Sequence, residues 1–236
     1  MSDGFAAAWA VADEVEGWLT EDQARVLWDA AADVQPGRSI VEIGSHHGRS
    51  TIVLACAARE GVETVAIDPF DDPRWGGGAA VYELFLESLR ATGIAERVRI
   101  VRATSDVASR EWDSRAVGFV YVDGAHDRTT VARDIGEWLE RLDPGGQLAI
   151  HDAFSSVGVT VALLQRFVGR SGVTDVRTTG SLLLIRKCGG SRVVTAMKLL
   201  ARVPYFARNV LVKIALRRGW RGLGRLLRHD TDSAPY

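Results

Sequence analysis

The stretch Ser39-Ile-Val-Glu-Ile-Gly-Ser-His-His-Gly-Arg-Ser-Thr-Ile-Val-Leu54 narrows most sharply what this chain can fold into. Its first five residues are apolar except for Ser39 and Glu42, rich in β-branched side chains, and stopped by Gly44, which reads as a buried strand. Gly44 and Gly48 bracket a turn where the backbone bends sharply or meets a ligand closely. Ser50 and Thr51 then open an apolar helix running from Ile52 to Ala58. Strand, glycine turn and helix in this order make a cradle at the carboxyl edge of a parallel sheet.

Three ligands use such a cradle. A dinucleotide asks for G-x-G-x-x-G, but His46 and Arg49 occupy the second and third glycine positions. A phosphate loop asks for G-x-x-x-x-G-K-[ST]; Gly44 to Ser50 is one residue short and carries Arg49 for the lysine, which leaves a P-loop-like nucleotide-binding protein as the alternative. S-adenosylmethionine brings no phosphate, and it needs open backbone for its methionine end and an acid borne on a strand. Glu42-x-Gly44-x-x-x-Gly48-x-Ser50 resembles the first motif of class I methyltransferases, with His46 where the usual middle glycine stands.

The rest of the chain repeats the alternation of strand and helix. Residues 5–18 are Ala-rich and predict a helix anchored by Trp9 and Trp18. Thr20 and Gln23 have the capping-box spacing and start a second helix running to about Asp33. These helices are expected to cover the sheet or to form part of a substrate wall. Strands are predicted at 63–68, 97–101, 117–122 and 147–150, with helices at about 79–92, 106–113, 129–142 and 157–168 between and after them. The loop from Pro69 to Gly78 has two prolines and three consecutive glycines and suits a substrate lid. Residues 173–178 and 181–186 flank Thr179-Gly180 and predict a closing hairpin. Val117 to Val122 is nearly all apolar, as a strand buried on both faces must be.

Polar exceptions gather where these strands end: Glu42, Asp68, Asp123, His151 and Asp152. Open α/β sheets bind their ligands at that edge. Asp68 falls twenty residues past Gly48, where an acid can accept from both ribose hydroxyls of an adenosine. Thr104 and Ser105 offer small polar groups where an adenine edge would lie.

Val41-Glu-Ile-Gly-Ser through Ser50, Ala66-Ile-Asp-Pro-Phe70, Val122-Asp-Gly-Ala-His126 and Pro144-Gly-Gly with His151-Asp152 together resemble the class I S-adenosylmethionine-dependent methyltransferases. The nearest likeness is to the family 24 type, which includes small-molecule and sugar O-methyltransferases. The resemblance covers roughly residues 15–187. It implies an α/β Rossmann-like sheet of seven strands, mostly parallel with an antiparallel last strand, and helices on both faces. It also implies an S-adenosylmethionine-dependent O-methyltransferase acting on a small-molecule hydroxyl of a sugar, a glycolipid precursor or a natural product. Cofactor contacts are then expected from Glu42, Gly44, Ser45, Gly48, Ser50, Asp68, Thr104, Ser105 and Asp123. A scaffold that binds the cofactor without catalysis is the other reading.

A second resemblance, to the metal-dependent O-methyltransferases, implies a metal centre. In those enzymes an Asp ends the fourth strand and two adjacent ligands end the fifth after a Gly-Gly turn. Asp123, His151 and Asp152 take those positions. His151 departs from the usual carboxylate and amide pairs; carboxylates alone imply Mg²⁺, and an imidazole favours a softer ion. His126, three residues after Asp123, takes the place of the general base, and His151 is the competing candidate. Methylating an alcohol requires removing its proton, and a divalent ion with a base titrating near neutrality would do so. His46 and His47 are assigned no chemistry.

Charge divides the chain. From Gly190 on there are ten Arg or Lys and two Asp, leaving 19 basic and 28 acidic residues in the first 189. The division sets a catalytic domain at 1–189 and a basic, amphipathic helical tail at 190–236. Basic helices of this kind either lie on an anionic membrane or pack on the core or a partner subunit. No nucleic-acid recognition motif accompanies the charge. Two cysteines without a metal pattern and no apparent leader segment set the expectation of a cytoplasmic protein.

Overall fold

The computed structural model describes residues 2–75, 77–113, 115–168 and 172–217. Seven strands form one sheet in the order β3-β2-β1-β4-β5-β7-β6, with β1 at Ser39–Ile43, β2 at Glu63–Ile67, β3 at Val98–Val101 and β4 at Val117–Val122. β5 runs Leu142–Ile150, β6 Val173–Thr179 and β7 Leu182–Lys187. The first five strands are parallel, and β7 runs antiparallel to both β5 and β6. This is the expected Rossmann-like sheet with its reversed last strand.

Alternation along the central strands sorts their side chains to two cores. Ile40, Phe119 and Tyr121 face the layer built by α1 (Ser2–Ala12), α2 (Glu21–Ala32), α3 (Arg49–Ala57) and α4 (Ala79–Ala91). Val41, Ile43, Val120 and Val122 face the opposite layer, which includes α5 (Ser105–Arg110), α6 (Arg128–Arg141) and α7 (Val157–Phe167). Chain order reverses between β1 and β4, so a crevice opens beyond their carboxyl ends.

Local chemistry explains most element ends. The capping box forms: Gln23 N–H donates to Thr20 Oγ1, and the Gln23 side chain accepts from the Thr20 N–H. Asp127 caps α6 by accepting from the N–H groups of Thr129 and Thr130. Two predictions need correction. The first helix ends at Ala12, and residues 13–19 run as a loop because Arg49 draws off the carbonyls of Asp13, Val15 and Leu19. The Pro144-Gly-Gly turn lies within β5: Val117 pairs with Leu142 and Phe119 with Gln147, so residues 143–146 bulge between those pairs.

Beyond the hairpin, α8 (Arg192–Leu200) and α9 (Val203–Arg217) dock on the sheet layer. Thr195, Leu199 and Val212 are buried, and Tyr205 and Phe206 pack on the core. The Arg-rich run from Arg218 to Arg228, expected to continue the helical tail, lies outside the described residues. No helix among the described residues is long and apolar enough to cross a membrane.

Candidate active site

Gly44 leaves β1 at φ 87°, and a Cβ there would collide with the backbone of Asp123 and Gly124. The turn therefore abuts the end of β4 only because residue 44 has no side chain. Asp68, at the end of β2, shapes the same turn. Its Oδ2 accepts from the N–H groups of Ser45 at 2.9 Å and His46 at 3.0 Å, and its Oδ1 accepts from Phe70 N–H at 2.6 Å. Those two bonds hold His46 at a left-handed φ of 46°. A carboxylate has about four acceptor positions, so one remains on Oδ1.

Glu42 is fully buried beneath the turn. It accepts from the hydroxyls of Ser45 at 2.8 Å, Ser50 at 2.5 Å and Thr51 at 2.5 Å. Burial pushes its pKa up to about 7 against the pull of those hydroxyls. The acid thus ties the turn to the first residues of α3 and does not line the cavity. Gly48, at φ 93°, caps α3.

The crevice holds a cavity of about 520 Å³. Of the expected cofactor residues, Gly44, Ser45, Ser50, Asp68, Thr104, Ser105 and Asp123 line it; Glu42 and Gly48 stand behind. His46 and His47 also line it, their rings stacked with centroids 3.7 Å apart. Trp18, 59% exposed, stands over His46 on the 13–19 loop. Arg49 fastens that loop with its guanidinium, reaching the carbonyls of Leu19, Asp13 and Val15 and the carboxylate of Asp13. The cation that a phosphate loop would aim at its ligand is committed to backbone here.

Asp134 was not foreseen. It lines the cavity from α6, is 1% exposed, and its Oδ1 has no hydrogen-bond partner. Ser105 is its hydrogen-bond partner on the other side, and the Ser105 hydroxyl accepts from Trp138 Nε1–H at 2.8 Å. Burial raises the Asp134 pKa to about 6. The sequence signal was available: Val131, Asp134, Ile135 and Trp138 form one buried helical stripe with an acid inside it.

At the far end of the cavity two histidines meet two carboxylates. His126 lines the cavity with a half-exposed side chain, its Nε2 3.1 Å from Asp152 Oδ2. Gly158 lets this approach happen, because a Cβ there would collide with the His126 carbonyl. His151 is buried behind. Its Nδ1 lies 3.1 Å from Asp123 Oδ1, and its Nε2 faces Gln23 Oε1 at 3.4 Å. Burial alone would depress the His151 pKa, but the charge and hydrogen bond of Asp123, with Asp152 behind, raise it to about 9. Asp123 Oδ2 accepts from the Tyr121 hydroxyl at 2.7 Å.

This arrangement does not fit the expected metal centre. His151 Nδ1 points at Asp123 Oδ1 and its Nε2 at Gln23 Oε1, while Tyr121 donates to Asp123 Oδ2, so these side chains are turned to one another rather than to a common point. Among the described residues no group of three or more His, Cys, Asp or Glu side chains is placed to hold a metal ion.

Comparison with known proteins follows the same lines. Residues 41–153 match the family described as a methyltransferase domain. The uncharacterized protein y4gI of Sinorhizobium fredii is 27% identical over 120 residues, covering 49% of this chain; the match spans only 13% of that relative. Among solved structures, cofactor-bound Rv0187 from MTB superposes with a TM-score of 0.61 at 20% identity, over 80% of this chain and 91% of that one. The O-methyltransferase TomG of Streptomyces achromogenes, involved in tomaymycin synthesis and solved with SAM, gives 0.59 at 21% identity, over 79% and 90%. An O-methyltransferase of Bacillus cereus solved with SAH gives 0.58 at 16% identity, over 78% and 90%. At these identities the likeness is one of fold.

Proposed function

We propose that this chain, whose residues 41–153 match a methyltransferase-domain family, is a class I S-adenosylmethionine-dependent methyltransferase that O-methylates a hydroxyl of a small molecule. The observation carrying the reading is that one cavity collects the glycine turn, Asp68, Asp134 and His126. Its volume of about 520 Å³ is of the size that small-molecule sites have.

The residues present suit the cofactor. Gly44 leaves bare backbone for the methionine end. Asp68 keeps an acceptor position for a ribose hydroxyl, and Asp134 Oδ1, which accepts no hydrogen bond and has Arg133 Nε 3.9 Å away, can accept from the exocyclic amine of adenine. Bound S-adenosylmethionine supplies a methyl group on a positively charged sulfur. His126 is the general base of this reading. With Nε2 directed at Asp152 Oδ2, 3.1 Å away, the Nδ1 lone pair is left to accept a proton. Nδ1 would take the hydroxyl proton, freeing the oxygen lone pair for the methyl group that the bound cofactor would supply. His151, tied to Asp123 and Gln23, positions the end of β4 rather than touching the acceptor.

Titration calorimetry separates this reading from the nucleotide-binding alternative. Micromolar binding of S-adenosylhomocysteine without ATP binding is expected, and the reverse result would overturn the proposal. Cofactor binding with no transfer in a broad screen of hydroxyl acceptors would leave the non-catalytic scaffold.

A further inference from the structure

α8 and α9 are apolar on two sides. Their inward face is satisfied. Thr195 donates its hydroxyl to the Val173 carbonyl at 3.1 Å, and the Asn209 side-chain amide donates to the Phe154 carbonyl at 3.0 Å. Leu199 and Val212 are buried beside these bonds. The outward face of a surface helix is normally polar. Here Val193, Val194, Met197 and Leu200 on α8, then Val203, Leu211 and Ile214 on α9, are each 37% to 66% exposed. Residues 193, 197 and 200, and then, with the exposed Ala207 between them, 203, 211 and 214, recur at steps of three and four, so they form a stripe along each helix. Single exposed apolar residues are ordinary, but a stripe over two consecutive helices marks a contact surface.

Charge decides what covers it. Residues 190–217 contain six Arg or Lys and no acid. Arg192, Lys198 and Arg202 are exposed around the stripe. A second copy of the chain, related by a two-fold axis, would bring an equally cationic face against this one. A bilayer with anionic headgroups satisfies both halves of the pattern, taking the apolar stripe at the acyl boundary and pairing the cations with phosphates. We propose that α8 and α9 form the face on which this protein lies against an anionic lipid membrane as a reversible, peripheral contact. The inward face of the same helices is tied through Asn209 to Phe154, in the 151–156 segment that carries Asp152. The proposal is independent of the acceptor's identity and of the O-methylation reading.

The test is sedimentation of the full chain with vesicles of phosphatidylglycerol and phosphatidylcholine, and with phosphatidylcholine alone. Binding to the anionic vesicles, weak on the neutral ones and reduced at high salt, is expected. Met197→Glu with Leu211→Glu should abolish it with an unchanged melting temperature. Lys198→Glu with Arg202→Glu, which leaves every apolar contact in place, should weaken it at least about tenfold and decides the matter if the first pair misfolds. No sedimentation with anionic vesicles would overturn the proposal. So would binding indifferent to the charge reversal, or a dimer in ultracentrifugation that Met197→Glu dissociates.

Discussion

Replacing Glu42 by Gln tests what burying a carboxyl beneath the glycine turn does to stability. Glu42 is fully buried, and its three partners are hydroxyls rather than cations. Desolvation therefore dominates and moves its titration from the ordinary 4.5 to about 7. Between those values the unfolded chain has released this proton and the folded chain still holds it. The stability that protonated Glu42 contributes is thus fully present below 4.5 and lost as pH rises through 7. The span corresponds to ~3 kcal/mol. Gln is neutral throughout, and the Ser and Thr hydroxyls can rotate to accept from its amide N–H groups, so the variant should keep the turn and lose this dependence. Urea denaturation of both proteins from pH 5 to 8.5 gives the difference curve. Other groups, Asp134 among them, titrate in both and largely cancel. Wild type should lose ~2.5 kcal/mol relative to Glu42→Gln across this range, the rest of the span lying below pH 5. A difference flat to within about 0.5 kcal/mol, the scatter of a neutral substitution, would refute the burial argument.

Further outcomes follow from the site. His126→Ala should lower kcat about 10²–10⁴-fold and leave S-adenosylhomocysteine affinity unchanged, as single-turnover kinetics and calorimetry would show. Excess chelator should leave turnover intact, because Asp123 and His151 are committed to each other; loss of activity on chelation, restored by Mg²⁺, would overturn that pairing as the working state. Arg49→Met should release the 13–19 loop. Amide hydrogen exchange should quicken there, and stability should fall by about 1–3 kcal/mol; unchanged exchange would mean the loop is held by Trp18 and Leu19 packing instead.

Much of this molecule was legible in one dimension, because its signals are local. The apolar β-branched run of Ser39–Ile43, the Thr20–Gln23 box and the Thr179-Gly180 turn each determine an element within a few residues, through backbone sterics and hydrogen bonds at short range. The polar exceptions at strand ends pointed to the edge of the sheet where the cavity opens, since strands of a parallel sheet carry their ends to one side. Spacing could not say which acid faces which base. His151 and Asp152 are neighbours in the chain, yet His151 turns inward to Asp123 while Asp152, at a left-handed φ of 54°, swings to His126. Glu42 looked like a ligand residue, but it does not line the cavity and takes three hydroxyls from the turn and the helix above it. Trp18 reaches the cavity on a loop whose carbonyls are held by Arg49, thirty-one residues downstream, where composition alone would have continued a helix. A side chain's role depends on which partners arrive to saturate it, and those partners are brought together by packing between segments far apart in the chain, a property that no local run of residues contains.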